Sequence, residues 1–234
     1  MNDRWIAEAV FPGLRGGYFV EAGACEGRYE SAAYALEKEL GWDGICVEPI
    51  ESYYEQLVRT RRCQTDDRCL WNKTGESVPF TVFPGETARS GITEVNKSLV
   101  AKRNAGAAER TADKEAGTLR DLLVQRMARA PERTVYKDTV TLHDLLVAHD
   151  APSTIHYVAL DIEGAEPQVI EAFDFRDGPY RVLALSLESV LCDDLMREAG
   201  YVQATNPFNE RGWWYEHYFL HPEVAALRPH LVVA

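Results

Sequence analysis

Short, nearly all-apolar runs alternate along the chain with stretches whose apolar residues recur every three or four positions, which predicts strands and helices in turn. Tyr18-Phe19-Val20 ends at Glu21 and a glycine-containing turn. Ser31 to Leu40 then places Ala33, Leu36 and Leu40 on one helical face, and Gly41 stops it. Ile45-Cys46-Val47 repeats the strand pattern up to Glu48-Pro49, and Glu51 to Arg61 reads as a second helix with Tyr54, Leu57 and Val58 inward. Arg68 to Trp71 is the expected third strand, and Val78 to Phe83 an extra extended piece. Further on, Thr141 caps a helix through Val147, and Tyr157 to Leu160 is a strand ending at Asp161. Pro167 opens a helix, Val182 to Leu187 is a strand ending at Glu188, and Val190 to Ala199 is a helix closed by Gly200. Tyr201 to Thr205 and Trp213 to Leu220 read as a final pair of strands. Strands alternating with helices predict one α/β domain over residues 1–234, its sheet mostly parallel.

One stretch departs from this rhythm. Residues 97–137 carry ten basic against five acidic residues and are rich in Ala and Gly, with a helical face at Leu119, Leu122, Leu123 and Met127. The expectation is a helix-rich insertion or lid at about 85–137, a place where a homodimer contact would sit and where positive charge would steer an anionic acceptor. The chain as a whole is acidic, with 25 Lys and Arg against 37 Asp and Glu, which opposes nucleic acid as a partner. Five cysteines without a CxxC pair fit a reducing, cytoplasmic compartment better than a disulfide framework. Asp3 and Glu8 interrupt the start where a signal peptide would be apolar, so no membrane partner is expected.

The chemistry gathers at the strand ends. Glu21, Glu48, Asp161 and Glu188 each close an apolar strand, and in an open parallel sheet ligands bind beyond those ends. The turn Glu21-Ala22-Gly23-Ala24-Cys25-Glu26-Gly27 lets a backbone approach a small molecule, but it is not GxGxxG, and its acids would repel a pyrophosphate. That disfavours a nicotinamide-dependent oxidoreductase. S-adenosylmethionine has no phosphate and carries an ammonium and a sulfonium, which acids suit. Glu48 stands where a carboxylate accepts ribose hydroxyls, a role common to several nucleoside cofactors.

The segments GYFVEAGACEGRYES, GWDGICVEPIESYYEQL and YVALDIEGAEPQVIEAFDF resemble the FkbM-type family of S-adenosylmethionine-dependent methyltransferases. The resemblance covers most of residues 16–100 and 139–190. It implies a class I methyltransferase (Rossmann-like) fold, a seven-stranded sheet with its last strand antiparallel and helices on both faces. It also implies O-methylation of a hydroxyl on a small molecule such as a natural product or sugar. Glu21, Gly23, Ala24 and Gly27 match the first cofactor motif, where the family more often has Asp at the first position. Glu48-Pro49 matches the ribose-binding strand end, Asp67 to Cys69 falls near the adenine, and Ser90-Gly91 approaches the active site. Ser31 is retained from a family Ser-Asn-Thr, but Ala32 replaces the Asn, so that contact is not carried over.

For the transfer itself Asp161 and Glu188 are the first candidates. Their placement resembles the acid pair by which some related sugar O-methyltransferases hold Mg²⁺, which would polarise the acceptor hydroxyl. The alternative is that Asp161 contacts cofactor or takes the acceptor's proton while Glu163, Glu166 and Glu188 cap helices. His217, beside Trp213, Trp214 and Tyr215, is a candidate base, and its i, i+4 spacing to His221 lies in a predicted strand, where it makes no zinc pair. A non-catalytic nucleoside-binding module is the remaining alternative; it would tolerate the loss of Asp161 and Glu188.

Overall fold

The computed structural model describes residues 1–29, 31–83, 86–95, 132–209 and 216–233. Its centre is a seven-stranded sheet in the order β12-β13-β11-β9-β1-β2-β3. The strands are β1 (Tyr18–Ala22), β2 (Asp43–Val47), β3 (Gln64–Asp66), β9 (Tyr157–Leu160), β11 (Ala184–Leu187), β12 (Val202–Ala204) and β13 (His217–Leu220), while β8 (Thr154–Ile155) and β10 (Arg181–Val182) form a separate parallel pair. β1 pairs in parallel with β2 and β9, β2 with β3, and β9 with β11, whereas β13 runs antiparallel to both β11 and β12. Every residue of β1, β9 and β11 is buried, which explains why these strands read as short, mainly apolar runs, broken only by Glu21 in β1 and Ser186 in β11.

Strand alternation splits the core in two. On one face Val20, Val158, Leu185 and Phe219 pack on α4 (Leu142–Ala148), α5 (Glu166–Glu171) and α6 (Asp193–Glu198), through Leu145, Val169 and Met196. On the other, Phe19, Tyr157, Ala184 and Tyr218 meet Trp5 and Ile6, which follow α1 (Asn2–Arg4) in a π-helical segment Trp5–Val10. Leu36 of α2 (Tyr34–Leu40), Leu57 of α3 (Glu51–Thr60) and Val224 of α7 (Pro222–Leu227) complete that side. Gly41 ends α2 in the left-handed conformation, and the Asp144 N–H donates to Thr141 Oγ1 at 3.0 Å to cap α4.

Two expectations are corrected. The third strand of the sheet is Gln64–Asp66, not Arg68–Trp71. The Asp66 carboxylate accepts from the Arg68 N–H at 3.0 Å and from its guanidinium, and it contacts His149 at 2.9 Å, so the chain turns out of the sheet immediately afterwards. Cys69–Leu70 then forms β4 of a second, four-stranded sheet in the order β4-β7-β5-β6, with β5 (Ser77–Phe83), β6 (Glu86–Ile92) and β7 (Arg133–Val140). The two ends of the expected helical insertion are therefore strands. β5 buries Phe80 and Val82 and needs a partner on each edge, which β6 and β7 supply. The helix expected at Thr118 to Ala130 lies outside the described residues. Among the described residues no helix is long and apolar enough to cross a membrane.

Candidate active site

One register row explains where the acids meet. Ala22, Val47, Leu160 and Leu187 lie side by side as the last residues of β1, β2, β9 and β11. The residues that follow, Gly23, Glu48, Asp161 and Glu188, therefore emerge together from the carboxyl edge of the sheet. They open into a cavity of about 590 Å³, within the range of about 300–1,000 Å³ usual for small-molecule sites. Its opposite wall is the second sheet, which contributes Cys69, Leu70, Phe80, Ser90 and Ile92.

Glu21 lies one residue earlier in β1, and its carboxylate is buried and fully engaged. It accepts from the Ala32 N–H at 2.6 Å, from the Ser31 hydroxyl at 2.9 Å and from the Arg61 guanidinium at 2.9 Å. Gly23 follows with φ +80°, and a Cβ there would overlap the carbonyl oxygen of Asp161, so only glycine lets the two strand ends pass. Glu48 closes the turn from the other side. Its two oxygens accept from the Cys25 N–H at 2.9 Å and the Ile50 N–H at 2.8 Å, and burial pushes its carboxyl up to about 7.

The third and fourth acids form a tighter group. Burial first, then a hydrogen bond to Asp161 and the charges of Asp161, Glu163 and Glu166, push the Glu188 carboxyl up to about 10. Glu163 reaches the cavity wall from a backbone at φ +55°, a left-handed conformation uncommon for a residue with a side chain. One carboxylate oxygen from each of Asp161, Glu163 and Glu188 lies within 4.8 Å of the others. Glu166, fully buried, folds back to accept from the Ile162 N–H at 2.9 Å, and burial raises it to about 7. Glu166 thus holds the loop that presents Asp161 and Glu163.

Of the residues expected from sequence, Glu21, Gly23, Ser31, Glu48, Pro49, Cys69, Ser90, Asp161 and Glu188 line this cavity. Ala24 is buried in the core, and Gly27 packs against Leu57 and Arg61, so both shape the turn from behind. Asp67 is exposed and stands outside the wall. His217 is also outside it: it pairs with Leu187 in the register and shares the face of Phe219, where Nδ1 lies 2.8 Å from Asp193. Its neighbour Glu216, which no motif in the sequence marks, takes the cavity position instead. Glu216 accepts from the Tyr218 hydroxyl at 2.7 Å and from the Asn2 amide, and burial raises its carboxyl. His221 caps α7, accepting from the Glu223 N–H at 3.3 Å. Trp213, Trp214 and Tyr215 lie outside the described residues.

A model of the methyltransferase FkbM domain matches residues 21–202, from the acid of β1 into β12. The chain belongs to the FkbM methyltransferase family. The match spans the four strand-end acids and the whole of the second sheet, and a class I methyltransferase-like α/β fold accords with the mixed, mostly parallel sheet of this FkbM protein. Comparison with curated proteins and with solved structures found no match.

Proposed function

We propose that this FkbM-family protein binds S-adenosylmethionine in the acid-walled cavity and transfers its methyl group to a hydroxyl oxygen of a small molecule. The observation that carries the reading is a wall lined by carboxyl groups and, among the described residues, by no basic side chain. Glu21, Glu48, Asp161, Glu163, Glu188 and Glu216 all line it, and no Lys or Arg side chain does so among the described residues. Such a wall offers a pyrophosphate no positive partner, and a cationic cofactor would favour the ionised forms of its acids. When bound, S-adenosylmethionine supplies an electrophilic methyl group on a positively charged sulfur.

The chain's own residues then have distinct tasks. Each Glu48 oxygen uses one lone pair on a backbone N–H and keeps another for a ribose hydroxyl. Cys69, Leu70, Phe80 and Ile92 form an apolar wall suited to a flat base or an apolar acceptor face and exclude water from it. Asp161, the most exposed of the strand-end acids, receives the proton of the acceptor hydroxyl. Glu188, kept protonated by its surroundings, donates a hydrogen bond to Asp161 and fixes its orientation. In an alternative state, with Glu188 deprotonated, Asp161, Glu163 and Glu188 offer an oxygen set that fits a hard divalent cation such as Mg²⁺, which would polarise the same hydroxyl in place of that hydrogen bond.

The test is methyl transfer from isotopically labelled S-adenosylmethionine to a panel of hydroxyl-bearing natural products and sugars. Wild-type protein should label an acceptor at oxygen, and Asp161→Asn should bind S-adenosylhomocysteine yet transfer about 100-fold more slowly. Label found on nitrogen or carbon would sink the O-methyl reading. An unchanged rate in Asp161→Asn would remove its role as base.

A further inference from the structure

Glu21 is held from behind by a residue that forms no part of the cavity wall. Arg61 caps the C-terminus of α3, and its side chain is fully buried. Its Nη1 donates to Glu21 Oε2 at 2.9 Å, to Ser31 Oγ at 3.1 Å and to the Gly27 carbonyl at 3.3 Å, while Nε donates to Glu37 Oε2 at 2.6 Å. The guanidinium also lies against the rings of Phe19 and Tyr34, centroids 5.3 and 5.9 Å away. Burial alone would raise the Glu37 carboxyl, yet hydrogen bonds from Arg61, Lys38 and the Arg62 N–H hold it down at about 2.

The two arms of this guanidinium have different destinations. The Nε arm ties α3 to α2 through Glu37, away from the cavity. The Nη1 arm reaches three points around the proposed cofactor turn at once: Glu21 near the end of β1, the hydroxyl of Ser31 and the backbone at Gly27. Glu21 and Ser31 both line the cavity, so this arm sets the shape of the wall. The other groups facing Glu21 are the Cys46 thiol of β2 at 3.6 Å, itself 3.5 Å from the Cys63 sulfur, and the Ala32 N–H. Among these described groups Arg61 alone carries a positive charge. Its planar fork serves Glu21 and Glu37 in two directions, which the single ammonium of a lysine cannot reproduce.

We infer that Arg61 is a positioning residue for cofactor binding, acting through Glu21 to hold the turn from Gly23 to Ser31 in its receiving form. The inference rests on the S-adenosylmethionine reading above. It separates a site function from a purely structural ion pair, because only the Nη1 arm touches the wall.

The test is calorimetric titration with S-adenosylhomocysteine of wild-type protein, Arg61→Met, Arg61→Lys, Glu21→Gln, the Arg61→Met/Glu21→Gln double variant and Glu37→Gln, with the Tm of each. Glu37→Gln should lower Tm but leave affinity within about twofold, whereas Arg61→Met should lose affinity by about tenfold or more. The double variant should bind no more weakly than the weaker single one, since Arg61 acts through Glu21. Should Arg61→Met fail to fold, Arg61→Lys decides. Weakened binding in a folded Arg61→Lys supports the inference, and unchanged binding overturns it. Equal losses in Glu37→Gln and Arg61→Met, or additive losses in the double variant, would also overturn it. Absence of binding in the wild type would instead strike the functional reading, and this inference with it.

Discussion

The backbone of Gly23 passes so close to the carbonyl of Asp161 that any side chain at position 23 would overlap it. The contact joins the end of β1 to the end of β9 and so fixes the distance between the turn at residues 23–27 and the loop bearing Asp161 and Glu163. Gly23→Ala meets two obstacles, a φ of +80° and a backbone atom that cannot move aside. The expected destabilisation is about 2–4 kcal/mol, with loss of the proposed S-adenosylmethionine binding. Gly41 provides the contrast, since its φ is +68° but no atom stands near its missing Cβ. Gly41→Ala should cost only about 1 kcal/mol. Thermal denaturation of both variants checks the difference.

The buried acids predict an unusual pH dependence of stability. Glu48 and Glu166 are raised to about 7 and Glu188 to about 10, each from an ordinary 4.5 and each chiefly by burial. The folded form therefore binds more protons than the unfolded chain between those limits, and stability falls as pH rises through them. Glu37, held at about 2, works in the opposite sense: its contribution is present above about 4.5 and is lost as pH falls toward 2. The ligand-free protein should be more stable near about pH 5 than near about pH 8, and should lose stability again below about pH 4. A Tm series across that range measures it, and a Tm that rises steadily from pH 5 to 8 would contradict these assignments.

Asp161→Asn should trade activity for stability. Removing the charge of Asp161 relieves the repulsion on Glu48 and Glu166, ionised at pH 8, while the amide oxygen of the new side chain still accepts from protonated Glu188, so the ligand-free variant should melt higher than the wild type at pH 8. Parallel melting curves at pH 5, where the effect should shrink, check the electrostatic origin.

His217→Ala should leave methyl transfer within about twofold of the wild-type rate, because its ring pairs with Asp193 on the far side of the sheet. A large loss of kcat with unchanged Tm would return His217 to the active site.

These outcomes also mark how much was written in the chain. The four strand-end acids were readable because a fully buried parallel strand is a short apolar run with an unmistakable end. The register row shared by Glu48, Asp161 and Glu188, with Glu21 two residues back from it in β1, turned that pattern into a site. Strand parity was harder: Trp213 to Leu220 reads as a strand, but the face on which His217 lies depends on its pairing with Leu187, a contact 30 residues away in sequence. Arg61 looked like the polar end of an amphipathic helix, since its partners Glu21 and Glu37 lie 40 and 24 residues earlier. The second sheet was obscured by charge. β7 alternates in period two through Val135, Lys137 and Thr139, yet its basic residues drew it into the expected insertion.

The most direct test of the central claim is calorimetric titration of the wild-type protein and Glu48→Gln with S-adenosylmethionine, S-adenosylhomocysteine and NAD. Both adenosyl compounds should bind, NAD should not, and Glu48→Gln should weaken the adenosyl compounds by about tenfold through loss of one acceptor oxygen. Binding of NAD in place of S-adenosylmethionine, or equal affinity in Glu48→Gln, would contradict it.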